Sequence, residues 1–361
     1  MEHLLTILTE ETQRQITRRT LLIRAGGVVG ISSILLGCRT PVSQGTSALT
    51  PSPSPSNTPA PTAAPPDPNH LFTYTGHSAE VYIVAWAPDS TRLASAGRDQ
   101  TVQLWDAHNG GNAYTYKGHS DRITALDWSH KGDRIVSGSR DQTAQVWNAQ
   151  TGDHLYTYKG HRGEVLTEAW SPDDTRIASA GLDTTVHIWD TQTGNLLSTY
   201  TGHTDAVTVV SWSPDGKRIA SSSLDHTVQV WDTQNSNHLL TYTGHSDAVN
   251  AVAWSHTGNH IASCGQDKTA QVWNAQDGGS PIIYKGHTAT VDALAWSSDS
   301  TRLASGSYDR TVQVWQALEG TLLYTYTGHT DVVEAVAWSA DGMLIASCSD
   351  DRTVQVWQAP K

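Results

Sequence analysis

The 361-residue chain contains fourteen Trp and twelve Tyr but a single Phe, and its 35 acidic residues outnumber its 23 basic residues. This negative balance disfavours a nucleic-acid-binding protein, which needs a basic face to displace counterions from phosphates. The apolar fraction of 37% and the three Cys exclude a polytopic membrane protein and a disulfide framework. A charged fraction of only 16% favours an all-β protein with many short strands and turns.

Residues 1–37 have the pattern of an export signal. Two consecutive Arg at 18–19 precede an apolar run over residues 25–36, which is too short to span a bilayer comfortably. The run ends in Leu-Leu-Gly-Cys at residues 35–38. This order resembles a twin-arginine signal joined to a bacterial lipoprotein box, and the resemblance implies cleavage before Cys38 and acylation of its side chain. The alternatives are an uncleaved signal anchor or a chance match.

Residues 38–69 predict a tether. Nine of the fourteen Pro of the chain lie here among Ser, Thr and Ala, and no apolar period is present. Because Pro fixes φ and lacks an N–H, such a segment is expected to be extended and semi-rigid. It would connect the anchor to the domain at residues 70–361.

That domain consists of one unit copied seven times at a spacing of 42 residues. All fourteen Trp fall in two columns at the same spacing, and each unit predicts four short strands separated by turns. A period of 40–45 residues is typical of propeller blades. The dipeptide Gly-His marks the copies at 76–77, 118–119, 160–161, 202–203, 244–245, 286–287 and 328–329.

The unit resembles the repeat of the WD-repeat β-propeller family. The resemblance rests on Gly-His, on an Asp in the turn between the second and third strands, and on Trp-Asp ending the third strand at 105–106, 189–190 and 231–232. The other four copies have Asn or Gln after this Trp. The resemblance covers the chain from Leu71 to its end and implies an all-β, seven-bladed propeller of four-stranded antiparallel blades.

The two ends of the repeat region are out of phase. Residues 71–75 match the fourth strand of other copies but precede any first strand, and the chain ends just after the third strand of the last copy. We therefore predict that the N-terminal strand completes the seventh blade. This closure would remove the exposed sheet edges.

The resemblance also implies a hydrogen-bonded His, Ser, Asp and Trp tetrad in each blade. Asp would accept from His, the other ring nitrogen would meet the Ser hydroxyl, and Ser would accept from the indole N–H, so that no buried polar group lacks a partner. The tetrads of copies one, four and seven are His77, Ser95, Asp99 and Trp105; His203, Ser221, Asp225 and Trp231; and His329, Ser347, Asp351 and Trp357.

Ser, His and Asp are also the members of a nucleophilic triad. Seven identical copies with a buried Trp nevertheless indicate a scaffold, because catalysis needs one exposed nucleophile in a cleft. We therefore expect no catalytic residues and no cofactor. We also expect no metal site, since His256 and His260 are the one pair at ligand spacing and flank a turn predicted to be solvated.

Positions that vary between copies are the candidates for function. In the WD-repeat family the rim formed by the loops before the first strand and after the second is the docking face. The matching positions predict a basic sector, an apolar sector and an acidic sector. They include Arg98, Arg122 and Arg140; Leu166, Leu182 and Leu224; Asp292, Glu334 and Asp350; and also Glu80, Tyr82 and Tyr308.

These observations predict a non-enzymatic, monomeric interaction scaffold that binds a protein or peptide and not nucleic acid. It would be exported and held at the extracytoplasmic face of a bacterial membrane through Cys38 alone. Two alternatives remain: a propeller hydrolase or dehydrogenase with a site in the central channel, and a structural envelope protein. Neutral drift of a solvated surface would also explain the rim.

Overall fold

The computed structural model describes residues 67–361, and in this range the secondary structure consists of 28 β-strands without a helix. No segment able to cross a membrane as a helix was found within the same range. The predicted signal at 1–37, Cys38 and the tether up to residue 66 lie outside the described residues.

The strands form seven four-stranded antiparallel sheets, which we call blades 1 to 7. In chain order the strands are β1 His70–Tyr74; β2 Val81–Trp86, β3 Arg92–Gly97, β4 Val102–Asp106 and β5 Tyr114–Tyr116 (blade 1); β6 Ile123–Trp128, β7 Arg134–Ser139, β8 Ala144–Asn148 and β9 His154–Tyr158 (blade 2); β10 Val165–Trp170, β11 Arg176–Gly181, β12 Val186–Asp190 and β13 Leu196–Tyr200 (blade 3); β14 Val207–Trp212, β15 Arg218–Ser223, β16 Val228–Asp232 and β17 His238–Tyr242 (blade 4); β18 Val249–Trp254, β19 His260–Gly265, β20 Ala270–Asn274 and β21 Ile282–Tyr284 (blade 5); β22 Val291–Trp296, β23 Arg302–Ser307, β24 Val312–Gln316 and β25 Leu322–Tyr326 (blade 6); and β26 Val333–Trp338, β27 Leu344–Ser349 and β28 Val354–Gln358 (blade 7).

The blades stand in a ring with their first strands innermost. The first strand of each blade packs against the first strands of both neighbours, and β26 packs against β2 to complete the circle. The fourth strand of each blade contacts chiefly the third strand of its own blade and therefore lies at the outside. The second and third strands are almost wholly buried, because each sheet is covered on both faces by its neighbours.

Aromatic stacking joins successive blades. Tyr74 of the last strand of blade 7 stacks on Trp105 of blade 1, with ring centroids 4.3 Å apart and planes 4° from parallel. The Trp that ends the first strand makes a different contact: the guanidinium of Arg134 in blade 2 lies 4.6 Å from the Trp170 ring of blade 3. Stacked rings and cation–π pairs of this kind add to the energy of area burial. Most blade boundaries repeat both contacts.

The predicted fold class and ring closure are confirmed. The sheet of blade 7 has the order β1-β28-β27-β26, so the N-terminal strand forms its outer edge. Tyr74 pairs with Val354 and Phe72 with Val356. The strand is shifted by one residue from its predicted bounds, because His70 also pairs, across from Trp357.

Candidate functional site

The His, Ser and Asp side chains meet in every blade. In blade 4 the Nδ1 of His203 lies 2.8 Å from Asp225 Oδ2, and its Nε2 lies 2.8 Å from Ser221 Oγ. The same contacts measure 2.8–2.9 Å in the other six blades. Asp225 also accepts hydrogen bonds from the Thr204 amide and from the Thr227 amide and hydroxyl. The carboxylate therefore holds the loop before the first strand to the turn after the second.

The fourth member of the tetrad joins in five blades. The indole N–H donates to the Ser hydroxyl oxygen at 2.9–3.4 Å from Trp105, Trp189, Trp273, Trp315 and Trp357. The expectation that every indole is paired does not hold for blades 2 and 4, where Nε1 of Trp147 and of Trp231 has no hydrogen-bond partner among residues 67–361. In these two blades the imidazole also approaches the serine carbonyl, at 3.1–3.2 Å.

Loss of one tetrad carboxylate is expected to loosen its blade. Asp225→Ala leaves His203 and the two backbone amides without their acceptor, and breaking a buried network at one member costs about 2–4 kcal/mol. Thermal melting should show a Tm lower by roughly 5 °C or more. Asp153→Ala, which removes an exposed turn carboxylate, is the control and should leave the Tm nearly unchanged. Unchanged melting of both Asp225→Ala and Asp309→Ala would show that the network does not stabilise the ring.

A second hydrogen-bonded pair was missed at the sequence level. In six of the seven blade boundaries the hydroxyl of the last Tyr of a fourth strand donates to a Gln on the third strand of the next blade, as Tyr74 does to Gln103 at 2.8 Å. The seventh has His187, whose Nδ1 lies 2.8 Å from the Tyr158 hydroxyl. Both columns recur every 42 residues, so the repeat spacing could have revealed them.

The predicted basic sector of the rim is largely neutralised. Arg98 pairs with Glu80 of its own blade at 2.7 Å, and Arg140 pairs with Glu164 of the next blade at 2.5 Å. Burial raises the pKa of Glu164, although Arg140 and Arg122 oppose this. Two of the three guanidinium groups are therefore members of ion pairs. Both Glu residues occupy the first rim position, which lies beside the position of these two Arg.

Tyr82 lies where the acidic and basic sectors meet. Burial raises its pKa, and charges from both sides act on it: Arg122 of blade 2 lowers the pKa, whereas Glu80, Asp350 and Glu334 raise it. The two latter residues belong to blade 7. Charged residues of three successive blades therefore act on the Tyr82 hydroxyl.

One predicted rim residue does not line an accessible surface. Asp292 is only 4% exposed, and its equivalents Asn250 and Thr208 are 3% and 5% exposed. Thr208 and Asn250 hydrogen-bond to the backbone carbonyl of the next blade, at Val249 and Val291. This column therefore points partly into the blade boundary and cannot serve throughout as a docking surface. Partly exposed rim positions are Leu166, Leu182, Leu224, Tyr308, Glu334 and Asp350.

The expectation of no metal site overlooked one group of side chains. His161, Asp183 and His187 of blade 3 bring three possible ligand atoms within 4.8 Å of one another. Sequence spacing does not reveal this group, because His161 is 26 residues from His187 in the chain. By contrast, His256 is exposed and His260 partly exposed at the turn where they were predicted.

Seven blades, a ring closed by its N-terminal strand and a repeated His–Asp–Ser network define a repeat β-propeller with a variable rim. The chain belongs to the WD40 family. The family model described as "WD domain, G-beta repeat" matches seven segments that together make up well over half of the chain. The segments are residues 68–106, 110–148, 152–190, 194–232, 236–274, 279–316 and 320–358.

Two curated proteins are similar over about one repeat each. "Protein HIRA" of Zea mays is 39% identical over 49 residues, which are 13% of this chain and 5% of that protein. "WD repeat-containing protein slp1" of Schizosaccharomyces pombe is 50% identical over 42 residues, which are 11% of this chain and 9% of that protein. The matched segment thus spans less than a tenth of either relative.

Proposed function

We propose that this protein is a non-enzymatic scaffold whose rim binds one protein or peptide partner in a fixed orientation. The observation that supports this most directly is the asymmetry of the rim on a scaffold that otherwise repeats. WD40 propellers typically serve as protein interaction scaffolds, which agrees with the proposal. The chain is proposed to act as a monomer.

The rim has an ionic arc and an uncharged arc. The ionic arc runs through blades 7, 1, 2 and 3 and contains Tyr82, Arg122 and the two Arg–Glu pairs. The uncharged arc follows in blades 3 and 4, where Leu182 and Leu224 are partly exposed. A partner that buries the leucines and matches the charges can fit in one orientation, since charged groups set register and apolar groups supply affinity.

Burial of the seven Ser–His–Asp sets argues against hydrolysis. Ser95, Ser221 and Ser347 are 0% exposed, so none presents a hydroxyl to a substrate. A nucleophile must reach its substrate in an accessible cleft. The sets are therefore assigned to the scaffold, and the enzyme alternative would require other residues.

The partner site is tested by rim variants in a crosslinked pull-down from the cells that make the protein. Leu182→Asp with Leu224→Asp should reduce capture of the partner at least tenfold, because an added charge at an apolar contact costs more than about 1.4 kcal/mol. Met343→Asp is the matched control: Met343 is an exposed apolar residue, at 67%, in a turn between the first and second strands, away from the rim loops.

Proteins retained by the Met343 variant but lost from the rim variant would be the partners. Equal capture by both variants would contradict docking on the rim. Absence of any rim-dependent protein would favour the structural envelope alternative. The same leucine variants should melt like the unchanged chain, which separates loss of binding from loss of folding.

We further propose that the chain is an exported lipoprotein anchored at Cys38 on the extracytoplasmic face of a bacterial membrane. The support is the order of twin Arg, short apolar run and Leu-Leu-Gly-Cys in the sequence. Intact-mass analysis of the protein from its own membranes should give a chain that begins with an acylated Cys38. Cys38→Ala should be released or left unprocessed, since stable anchoring takes more than one acyl chain. A mature N-terminus elsewhere would refute this anchor.

A further inference from the structure

Blade 3 departs from the other blades at one buried position. His187 is 7% exposed and replaces a Gln that is otherwise constant on the third strand. The six equivalents are Gln103, Gln145, Gln229, Gln271, Gln313 and Gln355. The replacement preserves the hydrogen bond to the Tyr158 hydroxyl, with His187 Nδ1 in place of the Gln side-chain oxygen. It also brings a second imidazole next to the tetrad, since the His187 and His161 rings stack with centroids 4.2 Å apart.

Both imidazoles are held through one ring nitrogen by a hydroxyl group. The Tyr158 hydroxyl lies 2.8 Å from His187 Nδ1, and the Ser179 hydroxyl lies 2.8 Å from His161 Nε2. Of the remaining nitrogens, His187 Nε2 lies 3.1 Å from the Thr185 hydroxyl and His161 Nδ1 lies 2.9 Å from the Asp183 carboxylate. Histidines that bind metals are commonly oriented by such a hydrogen bond on the far ring nitrogen.

We propose that His161, Asp183 and His187 bind one divalent transition-metal ion of the zinc type. Two imidazoles and one carboxylate form a ligand set that Zn²⁺ accepts, with a fourth position left for water or a ligand. The Asp183 side chain is 11% exposed and forms the solvent side of the site, whereas both His residues are buried. No other blade offers this set, because an amide replaces the second imidazole.

Binding requires a small closure of the site. The three ligand atoms lie within 4.8 Å of one another, whereas atoms about 2.0–2.1 Å from a tetrahedral zinc lie about 3.3 Å apart. The rings, now 12° from parallel, must also tilt so that their lone pairs converge. The ion would take the place of the His161–Asp183 hydrogen bond, which measures 2.9 Å, and would join the same loop and turn.

The test is metal titration of the full chain after removal of metals with a chelator. Zn²⁺ should bind at one ion per chain and raise the Tm, and Co²⁺ should give the visible absorption of a four-coordinate site. His187→Gln is the matched variant, because Gln is the residue of the other six blades and should fold normally. It should weaken Zn²⁺ binding at least tenfold and abolish the Co²⁺ spectrum.

His154→Gln controls for adventitious binding, since His154 is exposed in blade 2 and should not alter the titration. The proposal is overturned by unchanged binding in His187→Gln, by equal losses in both variants, or by failure of the unchanged chain to bind Zn²⁺ at one ion per chain. None of these results depends on a partner at the rim, so this test and the pull-down can fail independently.

Discussion

A chain that begins at Gly76 is expected to aggregate, or to melt about 10 °C or more below a chain that begins at Pro68. The difference between the two chains is β1, the strand that closes the ring. Its removal leaves β28 as a bare outer edge of blade 7. Exposed strand edges recruit other chains, so aggregation accompanies the loss of stability.

The size of the effect follows from what β1 contacts. Tyr74 stacks on Trp105 of blade 1 and donates to Gln103, and Phe72 lies 6.1 Å from Trp105 between ring centroids. His70 Nδ1 lies 2.8 Å from the Tyr326 hydroxyl of blade 6. Buried Tyr74 and partly buried Phe72, at about 25 cal/mol per Å² of apolar surface, contribute several kcal/mol, a large share of a typical folding free energy.

Removal of residues 50–55 from the full chain is the control for a deletion ahead of β1, and it should leave the Tm of the full chain unchanged. The measurement is thermal melting together with light scattering of each chain. If the chain from Gly76 is as stable and as monomeric as the chain from Pro68, β1 does not contribute to the closed ring.

The repeat explains why the fold could be predicted from the sequence. Each residue of the tetrad recurs at the same place in seven copies, so one local pattern fixes the strands, the turns and the blade number together. Ring closure could be predicted because residues 71–75 match a fourth strand but precede the first blade. The seventh blade lacks a fourth strand, so these residues can pair there. The missing indole hydrogen bonds of Trp147 and Trp231 could not be predicted, since the orientation of the serine hydroxyl depends on packing that residue types do not encode.

The rim was predicted less well, because a column of residue types does not give exposure or partners. The pairing of Arg98 with Glu80 and of Arg140 with Glu164 depends on how far each side chain reaches, which the residue types at two separate rim positions do not give. The burial of Asp292 was not foreseen, because its equivalents Thr208 and Asn250 hydrogen-bond to the next blade, a direction that the residue types do not give. His187 replaces a recurring Gln that is not part of the tetrad motif.

A further residue departs from its column and predicts the second large effect. Glu168 on β10 occupies a position that holds Val or Leu in the other six copies, as in Val210 of blade 4. It is 7% exposed, and neither carboxyl oxygen makes a hydrogen bond of good geometry among residues 67–361, although the Gly138 amide lies near enough to lower its pKa in part. Burial raises its pKa well above the usual 4.5, and the charge of Asp127 on β6 raises it further.

Glu168→Val is therefore expected to stabilise the protein, and more so as the pH rises. Below about pH 4.5 the carboxyl is protonated in both the folded and the unfolded chain, so its charge has no effect on stability. Between that pH and the raised folded pKa, the unfolded chain loses its proton first, and the folded state becomes progressively less stable. An unpaired buried polar group costs about 1–3 kcal/mol, which corresponds to roughly 3–10 °C in Tm at pH 8.

Melting curves are measured from pH 5 to pH 8 for the unchanged chain, Glu168→Val and Glu168→Gln. Their comparison separates the effect of the side-chain charge on Tm from the effect of its polarity. Gln removes the charge but keeps an unpaired amide, so it should flatten the pH dependence with less stabilisation than Val. Asp127 needs a separate variant, because burial raises its pKa to about 6 within the same range. Asp127→Ser suits this purpose, because Ser already fills the equivalent position of blade 4. Asp127 accepts a hydrogen bond from the Trp170 amide at 2.9 Å, and Ser211 accepts the equivalent bond from the Trp254 amide at 3.1 Å. If the Tm of Glu168→Val changes with pH in parallel with that of the unchanged chain from pH 5 to pH 8, protonation of Glu168 is not linked to folding.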